Sequence, residues 1–301
     1  PPYIALLFAE ESQAVTVDST SKTVQIKADL KEFEDRNQVF AEVATRWRKL
    51  APFKGLLDAQ WRDELYCVYN PTSTPYLLLE RAFSVLLGVA TYGVHMVAFV
   101  PPLVSSTGKL RLWVPRRAAT KPTYPLKLDN TVAGGIGYPY KVLETLLKEC
   151  EEEAGLPELF VKDRARPAGV VSYMHMPFTK GYPTETGKAE DFEGNDEEIH
   201  QEVLGNSRLT VQPEVEFVYD MELKSDDEIA PHPVDGEVDS FSLMDVDEVI
   251  ERAKNGEFKP NCGLLMVDFL VRHGFILADT EEGYMEILQR CHRRFPFATM
   301  T

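Results

Sequence analysis

The sequence predicts an α/β protein in two parts, a small α+β module over residues 1–84 and a larger α/β domain over residues 85–301. Three observations carry that prediction. Two short alternating runs and one long helical pattern share the first part. From Gly88 on, longer apolar alternations are interleaved with stretches of helical period. Within the second part, residues 134–156 run from clustered glycines into an amphipathic helix with a marked stop.

Residues 14–18 and 23–27 alternate as two short strands around a polar turn, and residues 33–50 carry a helical pattern. Residues 61–69 are aromatic and strand-like, ending at the turn pair Asn70-Pro71. Trp61, Tyr66 and Tyr69 read first as core packing and second as faces on which a ligand would stack. In the second part, residues 92–100 and 109–115 alternate as strands around the turn Ser105-Ser106-Thr107-Gly108. A basic, proline-bearing loop follows. Its Arg116, Arg117 and Lys121 are candidates to meet phosphate oxygens, with solubilising surface charge as the plain alternative. Residues 126–133 deliver the chain to the glycines. Residues 166–176, 215–223 and 238–243 read as strands, 245–254 and 262–273 as helices, and a last helix includes 281–290. Residues 182–206 are polar, acidic and aperiodic, which predicts an exposed insertion or lid, or simply a solvated loop.

A composition of 44% hydrophobic and 27% charged residues fits a soluble globular chain. Net charge is -16, from 32 basic and 48 acidic residues. That excludes nucleic acid and anionic membrane as expected partners. It leaves a small anionic substrate open, because a bound metal inverts the local sign. No apolar run reaches the length of a membrane span. Cys67, Cys150, Cys262 and Cys291 form no CxxC pair, so they read as reduced and structural. The expected location is cytoplasmic, or an organelle after removal of a transit peptide. No His/Cys cluster has zinc spacing, Ser172 lacks a nucleophile elbow, and residues 134–137 match neither a dinucleotide fingerprint nor a phosphate loop with its lysine. Nothing in the sequence sets the oligomeric state.

The central stretch opens with Gly134-Gly135-Ile136-Gly137, and Pro139 suits a first helical turn. Val142, Leu143, Leu146, Leu147, Cys150 and Ala154 then recur at helical spacing. Gly155 stands where a left-handed cap belongs, and Pro157 prevents continuation. Glu149, Glu151, Glu152 and Glu153 crowd the negative end of the helix dipole, where each carboxylate costs roughly 0.3–1 kcal/mol. Glu149, Glu152 and Glu153 share one face and repel one another. On the carboxylates alone two readings stay open. One is a site for a hard divalent cation, Mg2+ or Mn2+ rather than zinc; the other is a solvated acidic helix end.

The whole stretch resembles the Nudix box of hydrolases acting on a diphosphate linked to another moiety. In that pattern a glycine is followed after five residues by Glu, and after seven more by Arg-Glu-apolar-any-Glu-Glu-any-Gly-apolar. Here Gly134 opens it, and Lys148-Glu149-Cys150-Glu151-Glu152-Glu153-Ala154-Gly155-Leu156 closes it. Lys148 stands for Arg, keeping the charge but losing the planar fork. Tyr140 stands for the first Glu, and Glu144 is one turn away. The resemblance implies Glu149, Glu152 and Glu153 as metal-holding, catalytic carboxylates. It implies Lys148 as their orienting or phosphate-contacting partner, with Gly134 and Gly135 at the substrate. Glu237, after a loop where such enzymes place a distal acid, is a further candidate ligand, and Glu214 competes with it.

Other stretches are similar to a Nudix subgroup described as thiamine pyrophosphokinase-related. They include Trp61-Arg62-Asp63-Glu64-Leu65-Tyr66, Tyr92-Gly93-Val94-His95, Leu112-Trp113-Val114-Pro115-Arg116-Arg117 and Gly256-Glu257-Phe258-Lys259-Pro260-Asn261. This resemblance implies a Nudix α/β/α sandwich preceded by a small α+β module. It implies Mg2+- or Mn2+-dependent conversion of thiamine diphosphate analogues, the oxy and oxo forms, to monophosphate and phosphate. Trp113 and Tyr124, with Trp61 and Tyr66, are the aromatics suited to a flat, partly cationic ring. The alternatives are hydrolysis of a nucleoside diphosphate derivative and a catalytically silent binding module. With no kinase domain in the sequence, no kinase activity is expected.

Overall fold

The computed structural model describes residues 8, 11, 13–18, 20–21, 23–175 and 211–300. The acidic stretch 182–206 lies outside them. The chain divides into two compact units. One comprises Pro1–Thr91, Met174–Pro213 and Phe295–Thr301, the other Tyr92–Tyr173 and Glu214–Arg294.

In the first unit β1 (Val15–Asp18) and β2 (Thr23–Ile26) form an antiparallel hairpin. The Asp18 carboxylate accepts the Thr20 N–H at 2.8 Å and fixes its turn. Helix α1 (Phe33–Arg48) has Glu34 and Asp35 in its first turn and Arg46 and Arg48 in its last, complementing its dipole. It buries Phe40, Val43, Ala44 and Trp47 in a core with Phe53, Leu57, Leu77, Leu79 and Phe83. The hairpin of β3 (Leu65–Tyr69) and β4 (Pro75–Glu80) leads into α2 (Arg81–Leu87). The Glu80 side chain caps α2 by accepting the N–H groups of Ala82 and Phe83, and Gly88 closes it at φ 60°. The Arg48 guanidinium lies 4.6 Å from the centre of the Trp61 ring, and Arg81 lies 5.7 Å from that of Tyr66. Both aromatics are packed within the unit.

The second unit is built on a sheet of β5 (Thr91–Val100), β6 (Arg111–Arg117), β7 (Val132–Gly135), β8 (Ala165–His175), β9 (Gln212–Glu222) and β10 (Val238–Asp245). The order is β10-β6-β5-β9-β8, with β7 also on β5. Residues 92–100 of β5 are all buried, which requires cover on both faces. On one face Val97, Phe99, Leu112 and Val114 pack against α5 (Val246–Lys254) and α6 (Pro260–Arg272) through Val249, Met266, Phe269 and Leu270. On the other, α3 (Val142–Ala154) lies against β7, followed by the short α4 (Glu158–Arg164). Helix α7 (Tyr284–Cys291) packs on α6. The result is a helix–sheet–helix sandwich, as the resemblance implied.

Two elements differ from expectation. The glycines read as the start of a loop are strand β7: Gly134 and Gly135 pair with Val94 and Gly93. Strand β5 also shares one edge between two partners. Phe99 and Val100 pair with β6, while Gly93 to Met96 pair with β7. The sheet splits between them, and the Thr131 hydroxyl fills the gap, accepting the Ala98 N–H at 2.9 Å and donating to the Trp113 carbonyl at 2.6 Å. This split brings residues 129–131 within reach of both faces.

Candidate active site

Helix α3 starts at Val142, so Pro139 precedes the helix rather than occupying its first turn. The Glu144 carboxylate accepts the Lys141 N–H at 2.9 Å, which commits it to closing the exposed helix start. At the far end Gly155 adopts φ 64° and the Leu156 N–H reaches the Cys150 carbonyl at 2.9 Å. A Cβ on Gly155 would lie 2.6 Å from His232 Nε2, so the ring of His232 uses that glycine's open side.

The three signature carboxylates differ in surroundings. Glu152 is exposed, Glu149 half-buried and Glu153 buried. The Lys148 ammonium lies 2.8 Å from Glu152 and 3.3 Å from Glu149. Its hydrogen bond to Glu152 holds its pKa above the ordinary lysine value. Burial pushes Glu149 up, with Glu152 and Glu237 adding to the shift and Lys148 opposing it. Glu153 is raised to about 8 by burial first, then by the charges of Asp129 and Glu149. Its Oε2 accepts the Ala133 N–H at 3.3 Å.

Glu237 is anchored by its carbonyl, which accepts the Ala118 N–H at 2.9 Å, and its carboxylate pairs with the Lys121 ammonium. Its charge is one of those acting on Glu149, and that of Lys121 acts on Glu153. Arg117 differs from its sequence expectation. Its guanidinium donates to Asp129 Oδ2 at 2.7 Å, the Thr123 carbonyl at 3.0 Å and the Tyr124 carbonyl at 3.1 Å, which commits it to shaping the loop. Arg116 is half-exposed, with Nη1 donating to the Leu126 carbonyl at 2.8 Å. Tyr124 is half-buried in a left-handed conformation, φ 50°. Trp113 is half-buried, and its buried Nε1 has no hydrogen-bond partner among the described residues. Glu214 is instead held by the Tyr173 hydroxyl, which also contacts Glu216, on the face covered by α6.

That face also holds a polar cluster missed in the sequence reading. His95 Nδ1 lies 2.8 Å from Asn130 Oδ1, and the Cys262 thiol donates to Asp129 Oδ1 at 2.6 Å. The donor atoms of His95, Asp129 and Cys262 lie within 4.8 Å of one another. With Arg117 on one oxygen of Asp129 and Cys262 on the other, this trio is internally satisfied. Glu149, Glu152, Glu153 and Glu237 are oxygen donors of the type a hard divalent cation takes, but among the described residues no three of them bring ligand atoms within 4.8 Å of one another. Among the described residues no helix is long and apolar enough to cross a membrane.

Residues 8–91 match a family described as a domain of unknown function, DUF4743. Over 285 residues the chain is 40% identical to the uncharacterized protein YJR142W of Saccharomyces cerevisiae, covering 94% of this chain and 75% of that one. Over 279 residues it is 34% identical to the chloroplastic Nudix hydrolase 20 of Arabidopsis thaliana, covering 92% of this chain and 63% of that one. Among solved structures it is similar to DR0079 from Deinococcus radiodurans, with a TM-score of 0.41 and 16% identity over 76% of this chain and 100% of that one. The chain thus spans three quarters of the yeast relative and less than two thirds of the plant relative. The chain is similar over most of its length to a plant protein named as a Nudix hydrolase, and residues 134–156 carry the resemblance to the Nudix signature.

Proposed function

We propose that the protein is a divalent-cation-dependent hydrolase of a phosphoric anhydride bond in a small organic diphosphate. The observation that carries this reading is the i, i+3, i+4 spacing of Glu149, Glu152 and Glu153 on α3, with the charge of Glu237 acting on Glu149 and that of its partner Lys121 on Glu153. These four glutamates would hold Mg2+ or Mn2+. When bound, such a cation would supply charge neutralisation for the diphosphate and a more acidic water. One of the helix carboxylates would serve as the base toward the attacking water. Lys148, bonded to Glu149 and Glu152, fixes their orientation. Lys121 and Arg116 offer positive charge to phosphate oxygens, a role that Arg117 leaves to them.

The substrate we propose is an analogue of thiamine diphosphate, in its oxy or oxo form, cleaved to the monophosphate and phosphate. Sequence similarity to the thiamine-related Nudix subgroup supports this, as does the half-buried Trp113 beside the loop that carries Tyr124. The N-terminal module, residues 1–84, is proposed to contribute to selectivity. The test compares kcat/KM, with Mg2+ or Mn2+, for thiamine diphosphate, its oxy and oxo analogues, ADP-ribose and a dinucleoside polyphosphate. Highest efficiency on the oxidised analogues is expected. Highest efficiency on either of the last two compounds contradicts the thiamine assignment and leaves the hydrolase chemistry standing.

A further inference from the structure

Helix α3 ends at Ala154, and the chain turns away at Gly155 with φ 64°. The open side of that glycine is taken by a residue from much further along the chain. A Cβ on Gly155 would lie 2.3 Å from His232 Cε1, 2.6 Å from Nε2 and 3.0 Å from Nδ1, so the imidazole ring rests directly against the glycine. The His232 N–H donates to the Ala154 carbonyl at 3.0 Å. That carbonyl is one of those a helix leaves without an internal partner, so the backbone and the ring of His232 close the end of α3 together. Pro231 and Pro233 flank His232. Each proline fixes its own φ and drives the residue before it towards extended backbone. The segment that brings His232 to the helix therefore has few other conformations.

The same segment is fixed at its far end. The Asp235 carboxylate accepts the Glu237 N–H at 2.8 Å, and Gly236 takes φ 83°. The Glu237 carbonyl accepts the Ala118 N–H at 2.9 Å. The next residue, Val238, opens β10 opposite Arg117 of β6. Residues 232–237 thus run from the end of α3 to the start of β10, tied at both ends. The last of them carries the carboxylate whose charge acts on Glu149.

We infer that His232 is a positioning residue: its ring on Gly155 and its N–H on Ala154 hold the loop 232–237 to the end of α3, and so set where Glu237 stands relative to Glu149, Glu152 and Glu153. Gly155 is then the seat of an imidazole as well as a helix stop. This deepens the hydrolase reading above and rests on it for the role of Glu237. The test is a double-mutant cycle on the binding of Mn2+ alone to the full chain, followed by titration calorimetry. His232→Ala removes the ring and keeps the N–H. It is expected to weaken Mn2+ binding at least about fivefold in the wild-type background, and less than about twofold where Glu237 is already replaced by Gln. His232→Phe, which keeps a ring on Gly155, is expected to restore most of the affinity. A role confined to the stability of α3 would lower the melting temperature and weaken binding equally in both backgrounds. Equal losses in the two backgrounds, unchanged affinity in His232→Ala, or a Phe variant no better than the Ala variant overturns the inference. Should His232→Ala not fold, His232→Gln, which fills part of the same space, is read in the same cycle. The two readings fail separately. Mn2+ binding and diphosphate turnover that ignore His232 overturn this inference alone; a wild-type chain that neither binds Mn2+ nor cleaves any diphosphate overturns both.

Discussion

The side chain of Glu149 occupies the space above Gly134: a Cβ built there would lie 2.5 Å from Glu149 Cδ and 2.9 Å from its Oε1. The first glycine of the signature and its first helix-end carboxylate are thus one steric unit. Their spacing in sequence follows from a short strand that runs under the helix it precedes.

Gly134→Ala is therefore expected to displace Glu149 while leaving the fold. The backbone at Gly134 is an ordinary strand, so its conformation suits alanine, and the clash falls on the Glu149 side chain alone. A loss of at least about a hundredfold in kcat/KM is expected, about 2.7 kcal/mol of transition-state stabilisation, with melting temperature nearly unchanged. Activity within twofold of wild type would show that Glu149 need not sit there.

Glu153 links the site to stability. Its pKa in the folded chain, about 8, lies above the ordinary 4.5, so the folded state holds this proton more tightly than the unfolded state. Stability contributed by that proton is present below about pH 4.5 and is lost as pH rises towards 8. In chelator, the melting temperature is expected to fall across this window, and Glu153→Gln to flatten the fall. Parallel slopes for the two proteins would place the Glu153 pKa elsewhere.

Arg117 and Asp129 are expected to matter for folding more than for phosphate binding. They form an ion pair at 2.7 Å, with both side chains about nine-tenths buried. Removing one partner of such a pair leaves an uncompensated charge and costs about 3–5 kcal/mol. Arg117→Met should lower the denaturant midpoint markedly, whereas Lys121→Ala should raise KM with little change in that midpoint. The reverse pattern would return Arg117 to the phosphate site.

Five strands of the central sheet, α3 with its glycine stop, and α5 to α7 were legible because each has a clear period over several turns or pleats. Strand β7 was not. Gly134 and Gly135 have no side chains to alternate, and only pairing with β5 reveals the strand. The helix carboxylates could be found because they are close in sequence and break the dipole rule. The joining of Tyr173 to Glu214 and Glu216 could not, since Tyr173 lies 41 and 43 residues before them and sits in an apolar strand that looks complete without them. The one available signal was Glu214 and Glu216 on the same side of a strand as Val218, which is buried in the core. Arg117 misled for a similar reason: a basic loop looks solvent-facing until Asp129, twelve residues on, turns it inward.

The central claim is that the α3 carboxylates hold a cation for diphosphate hydrolysis, and 31P NMR of turnover with saturating Mg2+ tests it most directly. It compares the wild-type protein with Glu152→Gln and Glu153→Gln across the diphosphate panel, with circular dichroism confirming the fold of each variant. The account predicts release of phosphate from the wild-type reaction and a loss of at least about a hundredfold, roughly 2.7 kcal/mol, in both variants. Near-normal turnover in either folded variant would contradict it.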